Sequence, residues 1–175
     1  MFKKGDRVVY KAEGVCKISD VRIENFGAIG SNQTYYVLTP LREGNSTFFV
    51  PVDNERLVGY IRRLLSAEEI TALAEELREE RFEWIPDPRL RSTTFKDMLS
   101  RGDRRELIVL YNTVVDRLQE LRQIEKKAGS TELSTVERTE RMLYAEFAET
   151  TDISSPSQIR AVLSGAITLG SKKTL

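Results

Sequence analysis

Three groups of side chains in this sequence are of a kind that does chemistry: a run of carboxylates, a band of arginines around a lone tryptophan, and one cysteine. Glu68, Glu69, Glu75, Glu76, Glu79 and Glu80 crowd into a single stretch, and paired carboxylates can hold a metal or move protons. They recur, however, around Ile70, Leu73 and Leu77 at helical spacing, so a solvated acidic face is the simpler reading. Cys16 lies in Val15-Cys16-Lys17-Ile18, where a thiol behaves as a small buried hydrophobe. With no histidine and a single cysteine, a Cys/His zinc site and a Cys-His nucleophile are both impossible. A Gly-x-Ser-x-Gly elbow, a P-loop and a dinucleotide-binding glycine motif are absent as well. No enzymatic activity, cofactor, metal or small-molecule substrate is expected.

The basic band is different. Over the whole chain 27 basic residues balance 27 acidic ones, which argues against a binder of the strongly cationic kind. Between residues 84 and 127, ten Lys and Arg stand against seven Asp and Glu. Arg89, Arg91, Lys96, Arg101, Arg104 and Arg105 follow Trp84 within this block. Basic residues around an exposed ring sit on phosphates and press the ring against or between bases. A solvated surface with the Trp buried between helices explains the same residues, and composition alone leaves both readings open.

The elements that must position these groups divide the chain in two. Residues 1–53 write strands and turns: Arg7 to Tyr10, a turn at Glu13-Gly14, then Val15 to about Ile23, Tyr35 to Leu38, and Thr47 to Val50 ended by Pro51, which has no N–H for a ladder. Gly27 to Gly30 reads as a loop and Glu43-Gly44-Asn45 as a hairpin turn. This pattern suggests a small Tudor- or SH3-like β barrel whose usable surfaces are a groove or a free strand edge. Neighbours along a strand face opposite sides, so one of Tyr35 and Tyr36, and one of Phe48 and Phe49, is expected inside and the other outside.

Residues 54–65 read as a linker, residues 66–165 as an all-helical domain, and residues 166–175 as a frayed tail, giving an α+β chain. Four helix starts carry a capping signature, at Ser66–Glu69, Asp103–Glu106, Ser134–Glu137 and Ser155–Gln158. The longest helix runs from Asp103 to about Lys127, with Leu107, Leu110, Tyr111, Val114, Leu118 and Leu121 as its apolar stripe. Pro86 and Pro88 break any helix nearby, which leaves Trp84 in a linker or at an element end. No apolar run reaches the roughly 18 residues of a membrane span, and Lys3 and Lys4 are not followed by a signal-peptide core. A cytoplasmic protein is expected.

Phe2, Lys4, Gly5, Asp6, Val8, Val9 and Tyr10, followed by Glu13 to Lys17, then Tyr36 to Leu38 and Phe49 to Asn54, resemble the opening of the CarD/CdnL family of bacterial transcription regulators. The run Leu99 to Asp103 and the later Glu146-Phe147-Ala148 resemble that family's helical domain. Transcription-repair coupling factors share the N-terminal motif but carry helicase motifs that are absent here.

The resemblance implies a Tudor-like module that docks by strand pairing on the RNA polymerase β subunit, with contacts at Arg22, Glu24, Thr47, Phe48 and Phe49. It implies promoter DNA as the second partner, met largely without reading sequence at the upstream edge of the melted region, and a nucleoid-associated location through the polymerase. The DNA contacts would be Trp84, Arg89, Arg91, Lys96, Arg101, Arg104 and Arg105. Two positions depart from the family pattern. The family's wedge position falls near Pro88, a few residues after Trp84, and its polymerase-contacting arginines fall near Glu24 and Phe49. A rival of another class is a protein-protein adaptor on the polymerase without DNA contact.

Overall fold

The computed structural model of the chain describes residues 1–26, 32–42 and 46–172. The loop expected at Gly27 to Gly30 and the hairpin turn at Glu43 to Asn45 lie outside the described residues. The chain divides into two compact units, Met1–Leu64 and Leu65–Leu175.

In the first unit β1 (Arg7–Tyr10), β2 (Gly14–Glu24), β3 (Gln33–Pro40), β4 (Phe48–Pro51) and β5 (Ile61–Arg63) form one antiparallel sheet in the order β4-β3-β2-β1-β5. The described strands do not close into the expected barrel: β4 and β5 are its two edges. The turn between β1 and β2 ends at Gly14 with φ +77°, a left-handed conformation that glycine adopts without a Cβ penalty. Val8, Tyr10, Cys16, Ile18, Tyr36, Leu38, Val50 and Ile61 make the core. Burial and the nearby Glu13 carboxylate push the Cys16 thiol up to about 11, so it stays protonated and inert at neutral pH. Each fully buried aliphatic side chain of such a core contributes about 1.5–3 kcal/mol.

One irregularity sets which side chains reach the surface. The β2–β3 register runs Ile18↔Leu38 and then Asp20↔Val37, with Ser19 as the extra residue of a bulge. Ser19 Oγ donates to the Val37 carbonyl at 3.1 Å and accepts from Thr39 Oγ1 at 3.2 Å. Without the bulge Asp20 and Arg22 would continue the inward series of Cys16 and Ile18, because side-chain direction alternates with period two. The extra residue turns them to the opposite face.

Of residues 54–65, expected as a linker, all but Leu65 belong to the sheet unit. Asn54 Oδ1 accepts from the Leu57 N–H at 3.0 Å and caps the one-turn helix α1 (Glu55–Val58). β5 then pairs with β1 through Val8↔Arg63, Val9↔Arg62 and Tyr10↔Ile61. A strand written Ile-Arg-Arg carries one apolar residue, too few to register as alternation.

The second unit is helical: α2 (Ala67–Glu76), α3 (Pro88–Arg101), α4 (Arg104–Gln123), α5 (Ser130–Phe147) and α6 (Ile159–Leu163). The Ser66 box is formed in both directions, with Glu69 N–H to Ser66 Oγ at 3.2 Å and Ser66 N–H to Glu69 Oε2 at 2.9 Å. Asp103 Oδ1 accepts from the N–H groups of Arg105 and Glu106, and Ser155 N–H donates to Gln158 Oε1 ahead of the short α6. Ser134 is not a cap: it lies inside α5, which begins four residues earlier after Gly129.

Ile70 and Leu73 of α2, Phe95 and Leu99 of α3, Leu107, Ile108, Leu110 and Val114 of α4, Leu143 and Phe147 of α5, and Ile159 and Val162 of α6 share one core. The tail expected to fray is held as far as Lys172. Asp152 N–H donates to the Gly170 carbonyl, Lys172 N–H to that of Thr150, and Thr151 bridges Ser171. Among the described residues no helix is long and apolar enough to cross a membrane.

Candidate functional site

The two units offer one surface each. In the β unit it lies on β4 and the face that the bulge turned outward. The cross-strand pairs Tyr36↔Val50 and Leu38↔Phe48 point to the core, and Tyr35↔Pro51 and Val37↔Phe49 point away from it. Tyr36 and Phe48 are therefore the inward members of their pairs, as alternation requires, and Phe48 packs on Tyr10 with ring centroids 5.6 Å apart. Its side chain serves the core, which leaves its backbone as what a pairing strand could meet.

Phe49 stands outward with two rings beside it. Phe26, 60% exposed, meets Phe49 at 4.9 Å and Tyr35 at 5.3 Å, both edge to face. The Arg22 guanidinium lies 5.8 Å from the Phe49 ring centre and pairs with Glu24 at 2.7 Å. Arg22 and Glu24 are thus brought together on the outer face, while exposed Thr47 immediately precedes β4. Strand parity leaves either Tyr35 or Tyr36 as the outward member, and the β3–β4 register decides for Tyr35; nothing in the sequence marks Phe26.

The backbone of β4 is equally informative. Val52 N–H donates to the Thr34 carbonyl at 2.9 Å, and in an antiparallel pair the bonded positions alternate. Bonded pairs thus fall at Val50 and Phe48, and the N–H and C=O of Phe49 point to the open edge of the sheet. Pro51 points the same way without an N–H. Among the described residues no strand pairs with that edge.

In the helical unit the nominated residues gather around α3, a helix the sequence reading did not separate. Its signals were present: Asp87 Oδ1 caps the Leu90 N–H at 2.7 Å, Pro88 occupies the first turn, and Gly102 closes it in a left-handed conformation, donating to the Met98 carbonyl. Arg89 and Lys96 lie seven residues apart, with Thr93 between them, on one exposed face of α3, since residues three and four apart share a face.

Two of the arginines are used internally. Arg91 binds Glu132 at 2.9 Å and donates to the carbonyls of Ile85 and Pro86. Arg104 meets Glu146 at 3.0 Å with both side chains under a tenth exposed. Their burial against carboxylates leaves little guanidinium for a phosphate, which corrects their assignment as surface contacts. Arg101 and Arg105 are exposed but paired, Arg101 with Glu106 at 2.9 Å and Arg105 through both terminal nitrogens with Glu76. The Arg105 guanidinium holds the Glu76 carboxyl below its usual range.

Trp84 is half-buried. Its ring meets Phe95 edge to face at 6.2 Å, and the guanidiniums of Arg91 and Arg117 lie 4.8 Å and 5.5 Å from its centre. The segment that carries it is tied to α4, with Asn112 Nδ2 donating to the Leu77 carbonyl and Phe82 N–H to Thr113 Oγ1. The large apolar side chain that does stand free beside Arg89 is Leu90, 59% exposed. The sequence places it in the proline-broken stretch between two helices, where nothing singles it out.

Among curated proteins none matches the chain. The family model for the CarD-like/TRCF RID domain matches residues 2–65, which spans the sheet unit from its first ring to the end of β5. Residues 2–65 are therefore similar to the CarD-like/TRCF RID domain, whose family is one of RNA polymerase-interacting domains.

Proposed function

We propose that this chain is a non-enzymatic bacterial transcription regulator that binds the RNA polymerase β subunit by strand pairing on β4 and stabilises the promoter open complex. The observation that carries the reading is the open β4 edge, flanked by Phe49, Phe26 and Tyr35, inside a domain of a polymerase-interacting family. Strand addition takes its affinity from main-chain bonds and its specificity from alternate side chains, and here those are Phe49 with Arg22 beside it. The RID family is one of interaction domains rather than enzymes.

The helical unit then meets promoter DNA at the upstream edge of the bubble, through phosphates and the minor groove and largely without reading sequence. Arg89 and Lys96 are the exposed cations best placed for phosphates, with Arg101 and Arg105 joining once they leave their carboxylates. An apolar side chain inserted at a base step unstacks it and slows reclosure. Leu90 beside Arg89 suits that role better than Trp84, which would first have to leave Phe95 and two guanidiniums. Modest basicity is sufficient, since attachment to the polymerase raises the local concentration.

The test is open-complex lifetime with purified bacterial polymerase, with and without the full chain, after adding a competitor that traps released enzyme. A longer lifetime is expected, and Leu90→Ala is expected to shorten it more than Trp84→Ala. A second reading, an adaptor on the polymerase without DNA contact, is favoured by one observation: four of the six nominated cations are engaged with carboxylates. Equal salt slopes for binding to polymerase alone and to the polymerase-promoter complex would select it.

A further inference from the structure

The helical unit contains a groove of about 610 Å3 between the C-terminal end of α2, the segment that follows it, α3 and the first half of α4. Its floor is apolar: Leu77, Phe82, Ile85, Met98 and Val109, of which only Leu77 is fully buried. Its rim is acidic, with Glu76, Glu80, Glu83 and Glu106. The sole cation lining it is Arg105, already held by Glu76. A solvent-facing apolar floor of this kind marks an interaction site, and its rim decides what can lie there. Glu76 is paired with Arg105 and Glu106 with Arg101 at 2.9 Å, so the charge left to meet a guest is that of Glu80 and Glu83, both exposed, which repel nucleic acid and acidic peptides alike.

We propose that this groove docks a basic amphipathic helix of a partner protein, its apolar stripe on Phe82, Ile85, Met98 and Val109 and its flanking Lys or Arg residues on the glutamates. Helix-in-groove recognition uses apolar anchors at helical spacing, and opposite charge along the rim fixes register and orientation. The site is separate from the β4 edge and from the Arg89 and Lys96 face, so it stands whether or not the helical unit touches DNA.

The experiment selects short random peptides displayed on phage against the full chain, with the double variant Glu80→Gln, Glu83→Gln as counter-selection. Both glutamates are exposed, so the variant keeps the fold, which its unchanged denaturation midpoint would verify. The expected result is enrichment of peptides carrying Lys or Arg around large apolar residues at three- and four-residue spacing. Resynthesised, they should bind the parent chain and bind the variant roughly tenfold more weakly. Failure to enrich any sequence, enrichment of peptides without basic residues, or equal affinity for the variant would each overturn the proposal. So would self-association of the chain that disappears in the variant, since the occupant would then be a second copy.

Discussion

Phe49 and Arg105 both reach the surface, one from a strand and one from a helix, yet only Phe49 faces outward with capacity to spare. Its backbone points to an edge that no other described strand occupies, and its ring meets the rings of Phe26 and Tyr35 and the Arg22 guanidinium. Arg105 is gripped by both oxygens of Glu76. The β unit presents groups that its own folding left unused, whereas the helical unit has turned four of its six nominated cations onto its own carboxylates. A contact surface is therefore defined by what remains unpartnered after folding, and residue type alone does not report that.

The sharpest way to break this contrast is to remove a charge that the helical unit uses internally. Arg104→Ala leaves Glu146 as a buried carboxylate without its arginine, which should cost about 3–5 kcal/mol and lower the urea midpoint of the helical unit. Replacing the pair together, as Arg104→Met with Glu146→Leu, should recover most of that loss; no recovery would mean that the pair acts otherwise than by mutual neutralisation. In the β unit, Phe49→Ala should weaken polymerase binding by roughly 2 kcal/mol, the scale of an interface anchor, while leaving urea unfolding of the helical unit in place. Equal affinity in a pull-down titration would remove Phe49 from the interface.

A smaller effect is expected from the exposed cations. Arg89→Gln and Lys96→Gln should each lower the salt slope of promoter-complex binding by about one if each meets a phosphate, with Arg91→Gln acting instead on stability. The smallest concerns Glu76, whose carboxyl is held below its ordinary 4.5 by Arg105. Because the folded state favours the charged form, the contribution is whole above pH 4.5 and is lost as pH falls through the lower folded value. Glu76→Gln should flatten that part of the acid dependence of the unfolding midpoint.

Much of the frame was legible. Ser66, Asp103 and Ser155 begin their elements as their spacing required, because a cap and its reciprocal side chain are local chemistry. Ser134 misled because the same residue types are tolerated within a helix, where its hydroxyl donates back to the Thr131 carbonyl. That one of Tyr35 and Tyr36, and one of Phe48 and Phe49, faces inward followed from strand parity; which one did not. What stayed hidden needed tertiary knowledge. The bulge at Ser19 reverses the parity of Arg22 without leaving a mark in the sequence, and the acids that claim Arg91 and Arg104 lie about forty residues further along the chain.

Pro51 has a consequence for the protein's life at high concentration. A flat edge lined with aromatic rings is a nucleus for chain-upon-chain stacking, and amyloid-forming segments characteristically run to about six or seven residues without proline. β4 spans Phe48–Pro51 and ends on the one residue that has no amide hydrogen to donate. If β4 takes a guest strand as proposed, it is too short to go on and propagate a fibril, and the same imino acid limits both kinds of pairing.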